Sequence, residues 1–344
     1  HVFQSPEWEL VNDQEMIHVG RLVPLYPLTQ GLRPRQVRKL MKAVVDQWAG
    51  QITDFLPAEL REKQKLLELP QAISQAHFPA DEALKARARV RLAFDELFLL
   101  QLGVLSKKHH WQESQSGNSL STKPVVLEAF IQSLPFELTP AQHKALKELL
   151  ADLAKRQPMS RLLQGDVGSG KTVVAVAALL MAVANGYQGA LMVPTEILAE
   201  QHFHTICQLL ARSGDLVEKE DYRQSYAGLL SRPLNVALVI GGITQSKKRE
   251  LQKLIASGDI DIVIGTHALI QQDVEFHRLG LVVVDEQHRF GVTQRSALRQ
   301  KGFSPHLLVM TATPIPRTLA LTLYGDLDLS VIDQLPPGRQ AVKT

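Results

Sequence analysis

Seven short runs rich in valine, isoleucine and leucine recur from residue 161 onward, at 161–164, 189–193, 235–240, 261–265, 281–285, 306–310 and 329–332. Helical patterns separate most of them, over 171–184, 196–211, 245–256 and 314–323. A strand that is apolar on both sides of its pleat is buried on both faces, and strands joined by helical crossovers run parallel. The pattern therefore predicts an α/β lobe, a mostly parallel sheet with helices on both faces. Ligands of such sheets bind at the carboxyl ends of the strands.

The region upstream reads differently. Residues 1 to about 24 alternate apolar and polar positions around turn signals, as the last strands of a β unit would. They are too few to close a sheet, so this stretch is expected to be the tail of a β domain. A helical connector and linker are expected over 25–122, and the α/β lobe over 123–344. Within the connector, Arg87, Arg89 and Arg91 fall among apolar residues spaced three and four apart, which predicts a packing helix with a solvated basic face. Residues 106–123, "SKKHHWQESQSGNSLSTK", are polar and lack period, and read as an exposed linker with His109 and His110 solvated. The charged stretch 213–234 reads as a surface insertion between two strands. Because the chain opens with His1 rather than methionine, it is expected to have been processed or cut from something longer.

Composition excludes several classes. The longest apolar runs fall short of the roughly 18–20 residues that a bilayer span needs, so no membrane helix is expected. The single cysteine, Cys207, rules out an internal disulfide framework and a structural zinc site built on paired cysteines. It fits a reducing cytosol and the part of a buried filler on a helix. A net charge of +3 is too mild to indicate nucleic acid unaided, so that inference depends on local motifs.

The strongest motif is "GDVGSGKT", placed between a predicted strand and a predicted helix. Gly165, Gly170, Lys171 and Thr172 match the phosphate-loop pattern without a gap, and Asp166, Val167, Gly168 and Ser169 fill it. Glycines let backbone N–H groups close around phosphates at a helix N-terminus; Lys171 is placed to reach the β- and γ-phosphates and the Thr172 hydroxyl to hold Mg²⁺. Hydrolysis needs a second metal anchor and a base, and "LVVVDEQH" offers Asp285 for the first and Glu286 for the second. Upstream, "FELTPAQHKAL" puts Gln142 on a helix ahead of the loop, where its amide could pair with the adenine edge and select ATP.

Gln142, "GDVGSGKT", "DEQH" and "TATPIPRT" occur in the order of the superfamily two helicases and translocases, and the chain resembles that group. Within it, "PTEILAEQH", "GTHALIQ", "VVVDEQHRFGVTQR", "MTATPIPRTLALTLYGDLD" and "IDQLPPGR" resemble the RecG family of bacterial branch-migrating helicases, densely from about Phe136 to Arg339. The motor of the transcription-repair coupling translocases is similar too, but "QGDVGSGKT" and "DEQH" side with RecG.

The resemblance implies a RecA-like lobe and an ATP- and Mg²⁺-dependent enzyme. Phe136 and Gln142 would bind nucleotide with the loop, Gln287 and His288 would sense the γ-phosphate, and Thr311, Ala312 and Thr313 would couple hydrolysis to the DNA track. Pro194, Thr195, Gln201, Thr266 and His267 would lie along the nucleic-acid backbone, which positions a strand without reading its sequence. The implied partners are branched double-stranded DNA, as forks and Holliday junctions, single-stranded-DNA-binding protein and a second helicase lobe; the implied location is the bacterial cytoplasm, at the nucleoid.

Family motors use two lobes, whereas this sequence stops just past "LPPGR". The isolated chain is accordingly expected to bind adenine nucleotide weakly and hydrolyse little of it. The competing class is a nucleotide-dependent switch without motor activity, which would not need a base at Glu286.

Overall fold

The computed structural model describes residues 21–114, 117–266, 269, 274–285, 305–313 and 327–334. The chain divides into two compact units, His1–Gly103 and Val104–Thr344. Most of the expected β tail, and the expected helix over 314–323, lie outside the described residues.

Among its described residues the first unit is helical. It contains α1 (Pro34–Trp48), a 3₁₀ turn at Ala49–Gln51, α2 (Ala58–Lys63), α3 (Leu69–His77) and the start of α4 (Glu82–Ser114). Pro34 opens α1, where its fixed φ suits a helix and its missing N–H costs nothing. Val45, Ala49 and Phe78 form a small core with Met41 and Ile73 packed on it.

The solvated basic face predicted for α4 is only partly correct. Arg87 and Arg89 are exposed, but Arg91 is fully buried. Its guanidinium grips Asp54 with two bonds of 2.7 and 2.8 Å, donates to Asp95 Oδ1 at 2.9 Å and reaches the Leu67 carbonyl at 2.6 Å. Burying an arginine without such partners would be strongly unfavourable. The guanidinium also holds the Asp54 carboxyl well below the usual carboxylate range.

The second unit is built on a sheet whose order, among the described residues, is β3-β4-β5-β6-β2-β7-β8-β1-β9. Its strands are β1 (Ser160–Gly165), β2 (Gln188–Met192), β3 (Asp215–Glu220), β4 (Arg223–Ala227), β5 (Leu234–Val239), β6 (Ile262–Gly265), β7 (Leu279–Asp285), β8 (His306–Thr311) and β9 (Asp328–Ile332). From β5 to β9 every pairing is parallel, as the apolar runs predict. Alternate residues of the central strands enter two different cores: Leu163, Leu191 and Val283 one, Leu162, Met192 and Val284 the other. The sheet is thus buried on both faces.

Among the described residues the helices of this unit, after the end of α4, are α5 (Pro124–Ser133), α6 (Pro140–Leu153), α7 (Lys171–Ala184), α8 (Glu196–Ser213) and α9 (Gln245–Ser257). α7 is apolar all round after its first two residues and is buried from Val173 to Val183, which is where such a helix must sit. Cys207 is buried on α8, as expected of a filler, and burial pushes its thiol up to about 11.

Two expectations need correction. The stretch 213–234, read as a surface insertion between two strands, is itself β structure: β3 and β4 form an antiparallel hairpin that extends the sheet beyond β5. Nor are residues 106–123 an exposed linker throughout, since α4 runs helical to Ser114. Past it, the Gly117 N–H donates to the Arg156 carbonyl at 2.6 Å and Leu120 is buried. These backbone groups are satisfied by the lobe instead of by water. Among the described residues no helix is long and apolar enough to cross a membrane.

Candidate nucleotide and nucleic-acid site

Among the described residues, the seven parallel strands present their carboxyl ends to one edge of the sheet, and the described candidate residues collect there. β1 delivers residues 166–170 to the start of α7. The loop closes tightly: the Ser169 N–H donates to the Asp166 carbonyl at 3.0 Å. Gly170 has φ +86°, a left-handed conformation natural only to glycine, and a Cβ there would collide with Gln142 Nε2. At Gly165 a Cβ would stand 2.6 Å from Ser169 Oγ and 2.9 Å from the Ile332 carbonyl, so the strand end also needs glycine.

Lys171 folds back over its own loop, its ammonium donating to the carbonyls of Gly165 at 2.6 Å and Asp166 at 2.9 Å. Gln142 is fully buried on the first turn of α6. There it completes a capping box: its Oε1 accepts from the Thr139 N–H at 2.8 Å, while Thr139 Oγ1 accepts from the Gln142 N–H at 3.2 Å. Its Nε2 donates to the Ser169 carbonyl at 2.7 Å. Both amide atoms therefore serve the protein, tying α6 to the phosphate loop.

One cavity of about 380 Å³ unites most of these residues. The loop and the start of α7 contribute Val167, Gly168, Gly170, Lys171 and Thr172; Phe136 and Gln142 also line it. Asp285, from the end of β7, and Ala312, after β8, complete it. The Thr172 hydroxyl and the Asp285 carboxylate, both lining this cavity, form a hard oxygen donor set, which suits Mg²⁺. Thr311 is buried beside Ala312, and its Oγ1 accepts from the Thr313 N–H at 3.2 Å. Glu286, Gln287 and His288 lie outside the described residues, as does His267.

Pro194, Thr195, Gln201 and Thr266 do not line that cavity; they lie after β2, on α8 and after β6. The Val193 N–H donates to the Gly265 carbonyl at 2.9 Å, which sets the turn after β2 beside the one after β6. Thr195 caps α8, its Oγ1 accepting from the Leu198 N–H at 3.4 Å, and Gln201 is exposed one turn on. Two contacts at this edge escaped the sequence reading. Glu196 Oε1 accepts from the Gly241 N–H at 2.9 Å, and His202 Nε2 donates to Asp285 Oδ2 at 2.8 Å. Their only sequence signal is membership of the stretch "PTEILAEQH".

The model of the DEAD/DEAH box helicases matches residues 139–322, from the cap of α6 past the Thr-Ala-Thr turn. The chain belongs to the DEAD/DEAH box helicase family. Membership implies that this helicase chain uses ATP. The ATP-dependent DNA helicase RecG of Synechocystis sp. is 47% identical over 344 residues, covering 99% of this chain and 39% of that protein. RecG of Thermotoga maritima is 45% identical over 334 residues, or 97% of this chain and 40% of the relative. A solved structure of RecG bound to a three-way DNA junction matches with a TM-score of 0.71 at 42% identity, covering 94% of this chain and 41% of that one. The resemblance to RecG read from the motifs is borne out, and the helicase chain spans about two-fifths of the length of these relatives.

Proposed function

We propose that the chain is the nucleotide-binding half of an ATP-driven motor that moves on branched double-stranded DNA, reversing stalled forks and migrating Holliday junctions. The observation that carries this reading is the single cavity joining the phosphate loop to Asp285 and to Ala312 of the Thr-Ala-Thr turn. A nucleotide switch does not need a base beside that carboxylate; a motor needs the loop, the acidic strand end with its base, and a connection to the track. The RecG structure bound to a three-way junction supports branched DNA as the substrate class.

In this reading Lys171 leaves the carbonyls of its own loop to bind the β- and γ-phosphates, and backbone N–H groups of residues 165–170 take up the remaining phosphate oxygens. Phe136 and Gln142 stand at the purine end. Thr172 and Asp285 hold Mg²⁺, which neutralises charge on the phosphates when bound. Glu286 orients and deprotonates the attacking water; Gln287 and His288 respond to the γ-phosphate. Thr311, Ala312 and Thr313 link that response to a strip of Pro194, Thr195, Gln201, Thr266 and His267 along the DNA backbone. Hydroxyl and backbone contacts of this type suit a translocase, because they hold phosphate without reading bases. A second lobe closes over the nucleotide in the whole protein, and the bacterial nucleoid is its place of action.

The test is Glu286→Gln in the full-length protein. Turnover should fall by at least about 10²-fold, the scale expected for removing a general base, while affinity for fluorescent ATP stays within about twofold. Unchanged turnover would remove Glu286 from the mechanism.

A further inference from the structure

The contact between His202 and Asp285 joins two parts of the edge that the proposed mechanism otherwise leaves separate. The two side chains are 12% and 14% exposed and come from elements 83 residues apart in sequence. His202 sits in the second turn of α8, the helix whose cap is Thr195 and whose exposed Gln201 immediately precedes it. Glu196, in the first turn of the same helix, is anchored on the Gly241 N–H of the turn after β5. Six residues of helix, about 9 Å of axis, thus link one strand-end turn to the carboxylate at the end of β7. On its inner side α8 is fixed by buried Ala199, Phe203 and Ile206. α8 is thus fastened at both of these points and along its buried side.

We propose that His202 is a positioning residue that orients the Asp285 carboxylate for Mg²⁺ and couples occupancy of the metal site to the α8 end of the DNA strip. The inference rests on the ATP- and DNA-binding reading above. Hydrogen bonds from neighbouring groups fix the orientation of ligating side chains, and their loss typically weakens metal affinity 10- to 100-fold. Energetic coupling between two sites is reciprocal, so a contact that lets the metal site move α8 also lets DNA on α8 tighten the metal site.

The experiment uses the full-length protein as wild type, His202→Ala and His202→Gln. The glutamine carries a side-chain N–H that can replace the imidazole donor, and His202→Asn serves if the alanine variant does not fold. Methylanthraniloyl-ADP binding is titrated with Mg²⁺ and repeated in EDTA; binding of a fluorescein-labelled three-way junction is measured with and without Mg²⁺ and a non-hydrolysable ATP analogue. His202→Ala should raise the Mg²⁺ midpoint about 10- to 100-fold, leave the EDTA affinity unchanged and bring the effect of nucleotide on junction affinity close to one. His202→Gln should restore much of both. An unaltered Mg²⁺ midpoint and coupling in His202→Ala would overturn the proposal, as would a matching loss of affinity in EDTA, which marks a merely structural role. A wild type with no Mg²⁺-dependent nucleotide binding would instead remove the ATP-site reading, and this inference with it.

Discussion

The side-chain amide of Gln142 donates to the carbonyl of Ser169 across 2.7 Å, latching the first turn of α6 to the phosphate loop. Gln142→Ala loses this bond and half of the capping box, leaving buried backbone groups unsatisfied at a cost of about 1–3 kcal/mol. Gln142→Glu retains the acceptor for the Thr139 N–H but not the donor to Ser169. Urea unfolding should therefore show both variants destabilised, the glutamate because it sets a buried carboxylate against the Ser169 carbonyl, while fluorescent nucleotide titration shows both binding more weakly than wild type. Wild-type nucleotide affinity in the glutamate variant would show the latch to be immaterial.

Gly170 is constrained both by its positive φ and by the approach of Gln142. An alanine there costs about 1–2 kcal/mol in backbone strain and must also displace the glutamine amide. Gly170→Ala should lose nucleotide binding by about tenfold or more while far-ultraviolet circular dichroism stays unchanged. Retained affinity would mean that the loop adopts a different conformation when nucleotide binds.

Arg91 and Asp54 form the polar centre of the helical unit. Asp54→Ala strands a buried guanidinium and should destabilise that unit by about 3–5 kcal/mol, read as faster hydrogen exchange across α1–α4. The set Asp54→Leu, Arg91→Met and Asp95→Leu should recover much of the loss, because none of the three buried charges is then left without its partner. Equal damage from the single and triple variants would contradict this.

His306 gives the second unit a pH dependence. The ring is fully buried, its Nδ1 accepts from the Met159 N–H at 2.9 Å, and its Nε2 donates to the Asn118 carbonyl at 2.6 Å. Burial holds its pKa below the ordinary value of about 6.5. The unfolded chain thus binds the proton more readily, so the contribution of His306 is complete above pH of about 6.5 and declines as pH falls toward the folded value. Urea midpoints measured between neutral and mildly acidic pH should fall in wild type and fall less in His306→Gln. Identical slopes in the two proteins would sink the assignment.

The sequence revealed parallel strands and the phosphate loop because both are local patterns: continuous apolar runs for β1, β2 and β5 to β9, and fixed spacing for Gly165, Gly170, Lys171 and Thr172. What it concealed depends on partners distant in sequence. β3, "DLVEKE", is almost wholly exposed and has no apolar face; pairing with β4 makes it a strand. The burial of Arg91 depends on Asp54, 37 residues upstream, and no periodicity announces that meeting. Residues 106–114 are helical without an apolar stripe, as the continuation of a helix already begun. The partnership of His202 with Asp285 likewise exists only after α8 is laid against the sheet.

The central claim is that this cavity drives work on branched DNA, and the direct measurement is ATP hydrolysis by the full-length protein with and without a three-way junction, for wild type and Lys171→Ala. Wild type should show junction-stimulated turnover and Lys171→Ala a loss of at least about 10²-fold, with junction binding in the absence of nucleotide unchanged. Turnover indifferent to the junction, or surviving the loss of Lys171, would contradict the claim.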